Sequence, residues 1–286
     1  KVAAFCTDVA TAVREAAGLP TPVRVERFGN ERIRTIHENM IAEDFQQEYE
    51  CATNDGSEAL HPWDEIQGAQ ADDHVWLRST DMQRETGNAL AAIGELRRMI
   101  DQRKVETIFS AGMDIGRTRD TSEIYVVGME KGRYALRLAI TLNQSAFDAQ
   151  LFVASELLRR LPVARLLIDK TGIGHNLAEN VVNAFRGRAF GDTFTAASKL
   201  LWATNVKQLL QQHRLAIPVD RDLAYQIHSI KRRVTSGKGL LLDVDAGEKH
   251  HADKYWALAL AASAALEIEH NQEQPRRTST SQVRIR

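Results

Sequence analysis

Apolar and polar positions alternate, or recur at helical spacing, from residue 105 onward. Three strand-like runs come first: 108–115, 123–129 and 134–142. The last two are joined by Glu130-Lys131-Gly132-Arg133, which predicts a hairpin. A helix, a strand, a second helix and a short strand follow: 147–161, 164–169, 175–185 and 189–194. Pro162 predicts the end of the first of these helices, because proline cannot continue a helix.

The remaining pattern predicts helices, a second hairpin and a polar tail. The helices cover 196–213, 220–230 and 252–269, and the hairpin joins 231–235 to 240–244. Residues 271–286 are polar and basic, which predicts a disordered tail. The sequence therefore divides into a mixed region with a linker (1–75), a connecting helical segment (76–104), a main domain (105–270) and the tail (271–286).

The predicted order of elements in the main domain indicates its fold class. Three antiparallel strands followed by helix, strand, helix, strand and helix is the order of a ribonuclease H-like domain, an α/β fold whose mixed sheet is flanked by helices. In that fold the first strand lies centrally and the fourth lies beside it in parallel. Asp114 and Asp169 would then meet at adjacent strand ends, where α/β sheets tend to place their sites.

Composition indicates a globular protein without a global basic field. The 286 residues are 43% hydrophobic and 26% charged, with a formal net charge of −1. Binding of nucleic acid would therefore depend on local basic patches. Cys6 and Cys51 are too few for a disulfide framework and match no zinc spacing, which fits a reducing cytosol. No signal peptide is visible, so secretion is not expected, and the start at Lys1 rather than Met suggests a piece of a longer protein.

Three acids stand at the ends of predicted elements. Asp114 and Asp169 end apolar strands, and Asp253 opens the alanine-rich final helix. A carboxylate at the tip of an apolar strand costs free energy unless it is paired or binds a cation. Carboxylate oxygens suit Mg²⁺ and Mn²⁺, and several of them can hold the two cations used in phosphodiester hydrolysis. We therefore predict these three residues as catalytic metal ligands, although each alone also fits an ordinary turn, loop or helix start.

Further residues near these acids could take part in the same chemistry. Four of them could line the metal site: Asp120, Lys170, Asp243 and His251. Five basic residues could contact DNA phosphates: Arg117, Lys231, Arg232, Arg233 and Lys238. A solvated surface position is the ordinary alternative for each. Aromatic residues are not interleaved with the basic ones, so the pattern does not predict base stacking.

The segments around the three acids resemble the nuclease motifs of phage terminase large subunits. These segments are 114–122, 167–174 and 250–261, and segment 45–51 resembles the end of the terminase ATPase domain. The resemblance implies a DNA-packaging motor whose nuclease cuts concatemeric double-stranded DNA with two Mg²⁺ or Mn²⁺ ions held at Asp114, Asp169 and Asp253. It also implies the cytoplasm of an infected bacterium, a portal and a small terminase subunit as partners, and a fragment that is monomeric alone but forms a ring on the portal.

A phosphate-binding loop is the part of that family which the sequence does not contain. The pattern Gly-x-x-x-x-Gly-Lys-Ser/Thr does not occur, and Ser236-Gly237-Lys238-Gly239 has the pattern of a hairpin turn. We therefore expect residues 1–75 to be a remnant of the ATPase domain, without ATP hydrolysis by this piece alone. Three other functions stay open: a ribonuclease H-like integrase or resolvase, an ATPase of the actin and sugar-kinase type, and a packaging scaffold with an inactive nuclease.

Overall fold

A computed structural model describes residue 16 and the ranges 19–42, 59–71, 73–116, 121–172, 174–234, 240–244 and 252–273, together with residues 45 and 49. The chain divides into two compact units. The first unit comprises Lys1–Trp76 with Thr193–Ala259, and the second unit comprises Leu77–Asp192 with Leu260–Arg286.

The second unit is built on a mixed sheet. Its strands are β1 (Leu77–Met82), β2 (Phe109–Asp114), β3 (Thr121–Glu130), β4 (Arg133–Asn143), β5 (Val163–Asp169) and β6 (Ala189–Asp192). They lie in the order β1-β4-β3-β2-β5-β6. β3 is antiparallel to β2 and β4, whereas β5 is parallel to β2 and β6. This confirms the predicted ribonuclease H-like sheet, in which β2 is central and β5 lies beside it in parallel.

Three helices of the second unit bury their apolar faces in the core that contains the inner side chains of the strands. They are α4 (Gly87–Asp101), α5 (Phe147–Arg160) and α6 (Gly174–Ala184). Leu96, Leu157 and Val181, one from each helix, are fully buried in that core. Burial of one such side chain contributes about 1.5–3 kcal/mol relative to exposure. The helical spacing seen in the sequence therefore corresponds to real buried faces.

The turn between β3 and β4 shows how local sequence sets the register of the sheet. Lys131 and Gly132 have φ values of 49° and 72°, so both adopt the left-handed conformation. Two successive left-handed residues give a two-residue turn whose twist matches that of the flanking strands. The predicted hairpin is confirmed. With a register shift between Val126 and Val127, it brings Glu123 opposite Thr141.

Residues 77–104 are grouped with the sheet in the second compact unit. β1 pairs in parallel with β4. The Asp81 carboxylate joins β1 to α4, because it accepts hydrogen bonds from the backbone N–H groups of Asn88 at 3.1 Å and Ala89 at 2.7 Å. The sequence did not reveal this strand because two of its inward positions are the polar Ser79 and Asp81. One boundary between the compact units falls between residues 76 and 77, and the expected domain boundary at residue 104 stays a prediction.

The first unit joins two segments that are distant in sequence. Its helices are α1 (Thr21–Phe28), α2 (Glu31–Glu38), α3 (Trp63–Ala69), α7 (Ala196–Gln211) and α8 (Arg221–His228), and its strands are β7 (Leu215–Ala216), β8 (Ile230–Val234) and β9 (Leu240–Val244). β8 and β9 form the predicted antiparallel hairpin. Buried Lys207 of α7 places its Nζ 2.7 Å from Glu65 Oε1 of α3. Residues 193–259 thus group with the amino-terminal segment in this division into compact units, and the single domain expected at 105–270 stays a prediction.

Helix α9 (Asp253–Glu273) begins in the first unit and ends in the second. In the second unit, Ser110 of β2 donates a hydrogen bond to the Ala261 carbonyl at 2.8 Å. The helix continues to residue 273, so its end includes residues 271–273 that were expected in a disordered tail; residues 274–286 lie outside the described part. Among the described helices, none combines the length and hydropathy needed to cross a membrane.

Candidate active site

Asp114 and Asp169 are the last residues of the parallel neighbours β2 and β5. Met113 pairs with Ile168, so each acid follows one step further along its strand. Residues at paired positions project from the same face of a sheet. Both acids are largely withdrawn from solvent, with 9% and 7% of their surface exposed. The structure therefore brings these two predicted residues together at the carboxyl edge of the sheet.

The loop after β5 orients the Asp169 side chain. Asp169 Oδ1 accepts hydrogen bonds from the backbone N–H of Thr171 at 2.8 Å and from the Thr171 hydroxyl at 2.6 Å. Gly172 has a φ of 62°, which lets the chain turn back at once without steric cost. Gly174 starts α6 so close to the strand ends that a Cβ there would lie 3.1 Å from the Asp169 carbonyl oxygen. The two glycines thus permit the tight loop in which Thr171 reaches the carboxylate.

The sheet extends this pair into a row of four acids, two of which the sequence analysis did not single out. Glu123 on β3 lies opposite Asp114, and Asp192 on β6 lies opposite Asp169. Glu123 is buried, and both of its carboxylate oxygens accept from the Thr141 hydroxyl, at 3.0 and 2.9 Å. Asp192 is exposed. The available signal for Glu123 was an acid at the first position of an otherwise apolar predicted strand.

A buried hydrogen-bond chain holds the segment that follows Asp114. The Ser122 hydroxyl accepts from the Gly116 backbone N–H at 3.0 Å and donates to Gln150 Oε1 at 2.9 Å. Gln150 Nε2 in turn donates to the Ser145 carbonyl at 2.9 Å. Because this chain ties the exit of β2 to the start of β3 and to α5, it restrains the backbone next to Asp114. Ser122 ends the segment 114–122 that resembles a terminase motif, whereas Gln150 carried no recognisable signal in the sequence.

Asp253 is the first residue of α9, as the sequence predicted, and it belongs to the first unit. The residue before it, Ala252, is buried and has a φ of 55°. Gln226 of α8 accepts, through Oε1, hydrogen bonds from the backbone N–H groups of Lys254 at 2.9 Å and Tyr255 at 3.4 Å. The role of Asp253 as a third metal ligand stays a prediction.

The other predicted residues fall in several places. Lys170 follows Asp169 directly, and its backbone N–H donates to the Asp192 carbonyl at 2.8 Å. Lys231 and Arg232 lie on β8 of the first unit and are half-buried. Four predicted residues lie outside the described part of the chain: Arg117, Asp120, Lys238 and His251. The side chains of Arg233 and Asp243 also lie outside it, although their backbones belong to β8 and β9.

The side chains at the sheet edge fit hard divalent cations by their chemistry. Carboxylate oxygens are the ligands that Mg²⁺ and Mn²⁺ prefer, and closely spaced buried carboxylates repel one another until a cation offsets their charge. Within the described residues, no group of three His, Cys, Asp or Glu side chains is arranged closely enough to hold a metal ion. Asp114 and Asp169 thus form a pair of neighbouring acids, and their role as metal ligands stays a prediction.

The strand order, the flanking helices and the acids at the sheet edge define an α/β domain of the ribonuclease H-like class. The sequence profile of the Terminase RNaseH-like domain family matches residues 111–265. The chain belongs to this family and contains the carboxyl-terminal nuclease domain of a phage terminase large subunit. Membership supports a nuclease role in DNA packaging.

Several solved phage terminases are similar to this chain. The large terminase nuclease from thermophilic phage G20c is 21% identical, with a TM-score of 0.46, over 55% of this chain and 81% of that chain. The same nuclease has been solved with bound magnesium and with bound cobalt. The nuclease domain of the large terminase subunit gp2 of bacterial virus Sf6 is 11% identical, with a TM-score of 0.47, over 71% of this chain and 98% of that chain. No curated protein sequence matches this chain significantly.

Proposed function

We propose that this protein is a metal-dependent endonuclease that cuts concatemeric double-stranded DNA during phage genome packaging, in the cytoplasm of an infected bacterium. One observation carries the proposal. Asp114 and Asp169, both largely buried, end adjacent parallel strands in a chain of the Terminase RNaseH-like domain family. Buried neighbouring carboxylates are costly in a purely structural role, and a cation site removes that cost.

Each acid has a defined part in the proposed site. Asp114 and Asp169 would bind the cations, and Asp253 would supply a third carboxylate. When bound, two divalent cations would supply the positive charge that activates a water for attack on the phosphodiester and stabilises the leaving oxygen. Thr171 would keep the Asp169 carboxylate in one orientation through its two hydrogen bonds. Because both Thr171 donors reach Oδ1, the loop sets the direction of the carboxylate plane.

We also propose that duplex DNA is held by phosphate contacts and that the protein acts within a larger motor. Lys170 stands beside Asp169, and Lys231 and Arg232 lie on β8. Basic side chains of this kind bind phosphates without reading sequence. A portal and a small terminase subunit are the proposed protein partners. Assembly on the portal as a ring is part of the same proposal.

Cleavage of supercoiled plasmid tests the two-carboxylate site. The wild-type protein is incubated with Mg²⁺, Mn²⁺ or Co²⁺, beside Asp114→Asn and Asp169→Asn, each of which removes a charge with little change in volume. We expect nicked and linear products from the wild type and a loss of at least about 100-fold in both variants, because metal ligands are lost. Asp148→Asn is the matched control, since Asp148 is exposed on α5 and pairs with Arg84.

Two outcomes would overturn the proposal. One is a wild-type protein that leaves plasmid intact with all three cations. The other is cleavage by Asp114→Asn and Asp169→Asn at the rate of the Asp148→Asn control. Chelation of the cations with EDTA is expected to stop cleavage in every preparation, because the reaction requires bound metal.

A further inference from the structure

We propose that Gln226 is a positioning residue for DNA cleavage, acting on Asp253 through the first turn of α9. The inference rests on the proposed function, in which Asp253 is a metal ligand. Gln226 lies on α8, 27 positions before Asp253 by residue number, and nothing in its sequence context marks it. The role that we assign to Gln226 follows from its hydrogen bonds to the first turn of α9.

The residue that precedes α9, Ala252, has no side-chain acceptor that could cap the helix. The first N–H groups of a helix have no partner within the helix, and a Ser, Thr, Asp or Asn side chain usually accepts from them. Ala252 occupies the position before the helix and has no side-chain acceptor. Gln226 Oε1 takes that place, because it accepts from Lys254 N at 2.9 Å and from Tyr255 N at 3.4 Å. These are the second and third helical residues, the positions that an ordinary cap serves.

The backbone at this point is strained and held in place by its surroundings. Ala252 has a φ of 55°, a left-handed conformation that residues with a Cβ rarely adopt. It is also buried, with 1% of its surface exposed. Such a conformation persists only where neighbouring contacts over-determine it, and it is enriched at functional sites. Asp253 therefore lies between a strained residue and a capped one.

Two further contacts tie the same turn to the first unit. Lys254 Nζ lies 3.2 Å from Asp222 Oδ2, and Asp222 stands four residues before Gln226, so both project from one face of α8. Tyr255 places its hydroxyl 2.9 Å from His61 Nε2. The Asp222 side chain is 69% exposed, so that ion pair is screened by solvent. The Gln226 cap, in contrast, acts directly on the backbone of the turn.

Loss of this cap should disturb the chemistry more than the binding of DNA. A catalytic constellation tolerates displacements of only about 0.5 Å, and groups that orient metal ligands typically change affinity or activity about 10–100-fold when they are removed. Freed from Gln226, the turn that carries Asp253 would sample other positions. We expect kcat and metal affinity to fall, while KM for DNA stays unchanged.

The experiment compares Gln226→Leu, which has no acceptor, with Gln226→Glu, which keeps an acceptor oxygen at the same distance. Plasmid cleavage gives kcat and KM, and calorimetric titration with Mn²⁺ in the absence of DNA gives metal affinity independently of activity. We expect Gln226→Leu to lower kcat about 10-fold or more and to weaken Mn²⁺ binding. Gln226→Glu should restore both. If Gln226→Leu does not fold, Gln226→Asn, whose shorter side chain withdraws the oxygen, carries the same expectation.

Asn30→Ala is the matched control, because Asn30 caps α2 of the same unit through Ile33 N at 2.9 Å. It should lower the melting temperature without changing kcat. The inference is overturned if Gln226→Leu cleaves and binds Mn²⁺ as the wild type does, if Gln226→Glu is as impaired as Gln226→Leu, or if Asn30→Ala lowers kcat equally. Failure of the proposed function looks different, because then Asp253→Asn would cleave like the wild type or no preparation would cleave at all.

Discussion

Asp114 on β2 lies directly opposite Glu123 on β3, and both carboxylates are buried. Like charges at opposite positions of an antiparallel pair destabilise a sheet. The Thr141 hydroxyl donates to Glu123, which offsets part of the cost on one side. On the other side lies Asp169, a further acid. The edge of the sheet is therefore an arrangement that a bound cation would stabilise.

Most mutations at buried positions lower the free energy of unfolding, whereas we expect Asp114→Asn to raise it in the absence of metal. Without metal, removal of one charge from the Asp114–Glu123 pair should raise the free energy of unfolding by about 1 kcal/mol, because like-charge repulsion and charge burial are both reduced. Added Mn²⁺ should stabilise the wild type through mass action and leave the variant unchanged. Thermal unfolding in EDTA and in Mn²⁺ measures both effects. A variant that is less stable than the wild type in EDTA would contradict the repulsion argument.

Thr171→Val should weaken cleavage without removing a metal ligand. The substitution deletes the hydroxyl that donates to Asp169 Oδ1 at 2.6 Å and keeps the backbone donor at 2.8 Å. We expect a rate about 10-fold lower and a higher Mn²⁺ concentration for half-maximal cleavage, because the carboxylate is less firmly oriented. Thr171→Ser keeps the hydroxyl and should cleave like the wild type. Equal rates for the valine and serine variants would show that the hydroxyl does not orient Asp169.

His61 should make the protein less stable in mild acid. Burial, and then the nearby Lys207 and His228, hold the pKa of His61 well below its ordinary value of 6.5. Below pH 6.5 His61 is protonated in the unfolded chain but stays neutral in the folded chain. The free energy of unfolding therefore decreases as the pH falls below 6.5. The slope from one such group is at most about 1.4 kcal/mol per pH unit.

Urea unfolding at several pH values between 7.5 and 5.0 measures this dependence. His61→Gln, which can still bond the Tyr255 hydroxyl, should have a flatter profile than the wild type, since glutamine does not titrate. Burial also raises the pKa of Tyr255 well above its ordinary value of 10.0, so Tyr255 stays neutral across the range. Parallel profiles for the two proteins would exclude His61 as the source of the acid sensitivity.

Lys207→Met should lower the free energy of unfolding of the first unit. Lys207 is buried, and its ammonium lies 2.7 Å from Glu65 Oε1. The Glu65 side chain is 19% exposed and also accepts from Gln211 Nε2 at 3.2 Å. The loss of its cationic partner should therefore cost less than the roughly 3–5 kcal/mol that is typical of a fully buried ion pair. The double variant Lys207→Met with Glu65→Leu should recover much of that loss, since an apolar pair of similar volume is tolerated. Chemical denaturation of the wild type, the two single variants and the double variant gives four free energies of unfolding, which form a double-mutant cycle.

The proposed DNA-binding hairpin can be tested by salt dependence. Lys231→Ala with Arg232→Ala removes two basic side chains of β8. If both contact phosphates, DNA affinity should fall for all sequences alike, and the slope of log K against log salt should decrease by about 0.9 for each lost contact. Fluorescence anisotropy with duplexes of unrelated sequence measures both quantities. An unchanged slope would place the DNA path elsewhere on the protein.

The sequence pattern was sufficient to predict most helices and strands of the second unit and to place Asp114 and Asp169 at the ends of two strands. The runs that became β2 and β5 are almost wholly apolar, so an acid at the end of each was visible without a structure. β1 was missed because Ser79 and Asp81 occupy its buried positions, and burial of a polar residue depends on partners that lie elsewhere in the chain. Glu123 and Asp192 were missed for a related reason, since only strand pairing shows that they flank the predicted pair.

Periodicity and isolated acids are local properties of a chain. The order of elements, the resemblance to terminase nucleases and the prediction of Asp114, Asp169 and Asp253 as metal ligands could therefore be obtained without a structure. The register that places Glu123 opposite Asp114 could be read only from the folded chain. The same holds for Gln226, which no sequence motif marks and which caps the helix that begins at Asp253. Strand register and a cap supplied from another helix depend on contacts between distant segments, and those contacts exist only once the chain has folded.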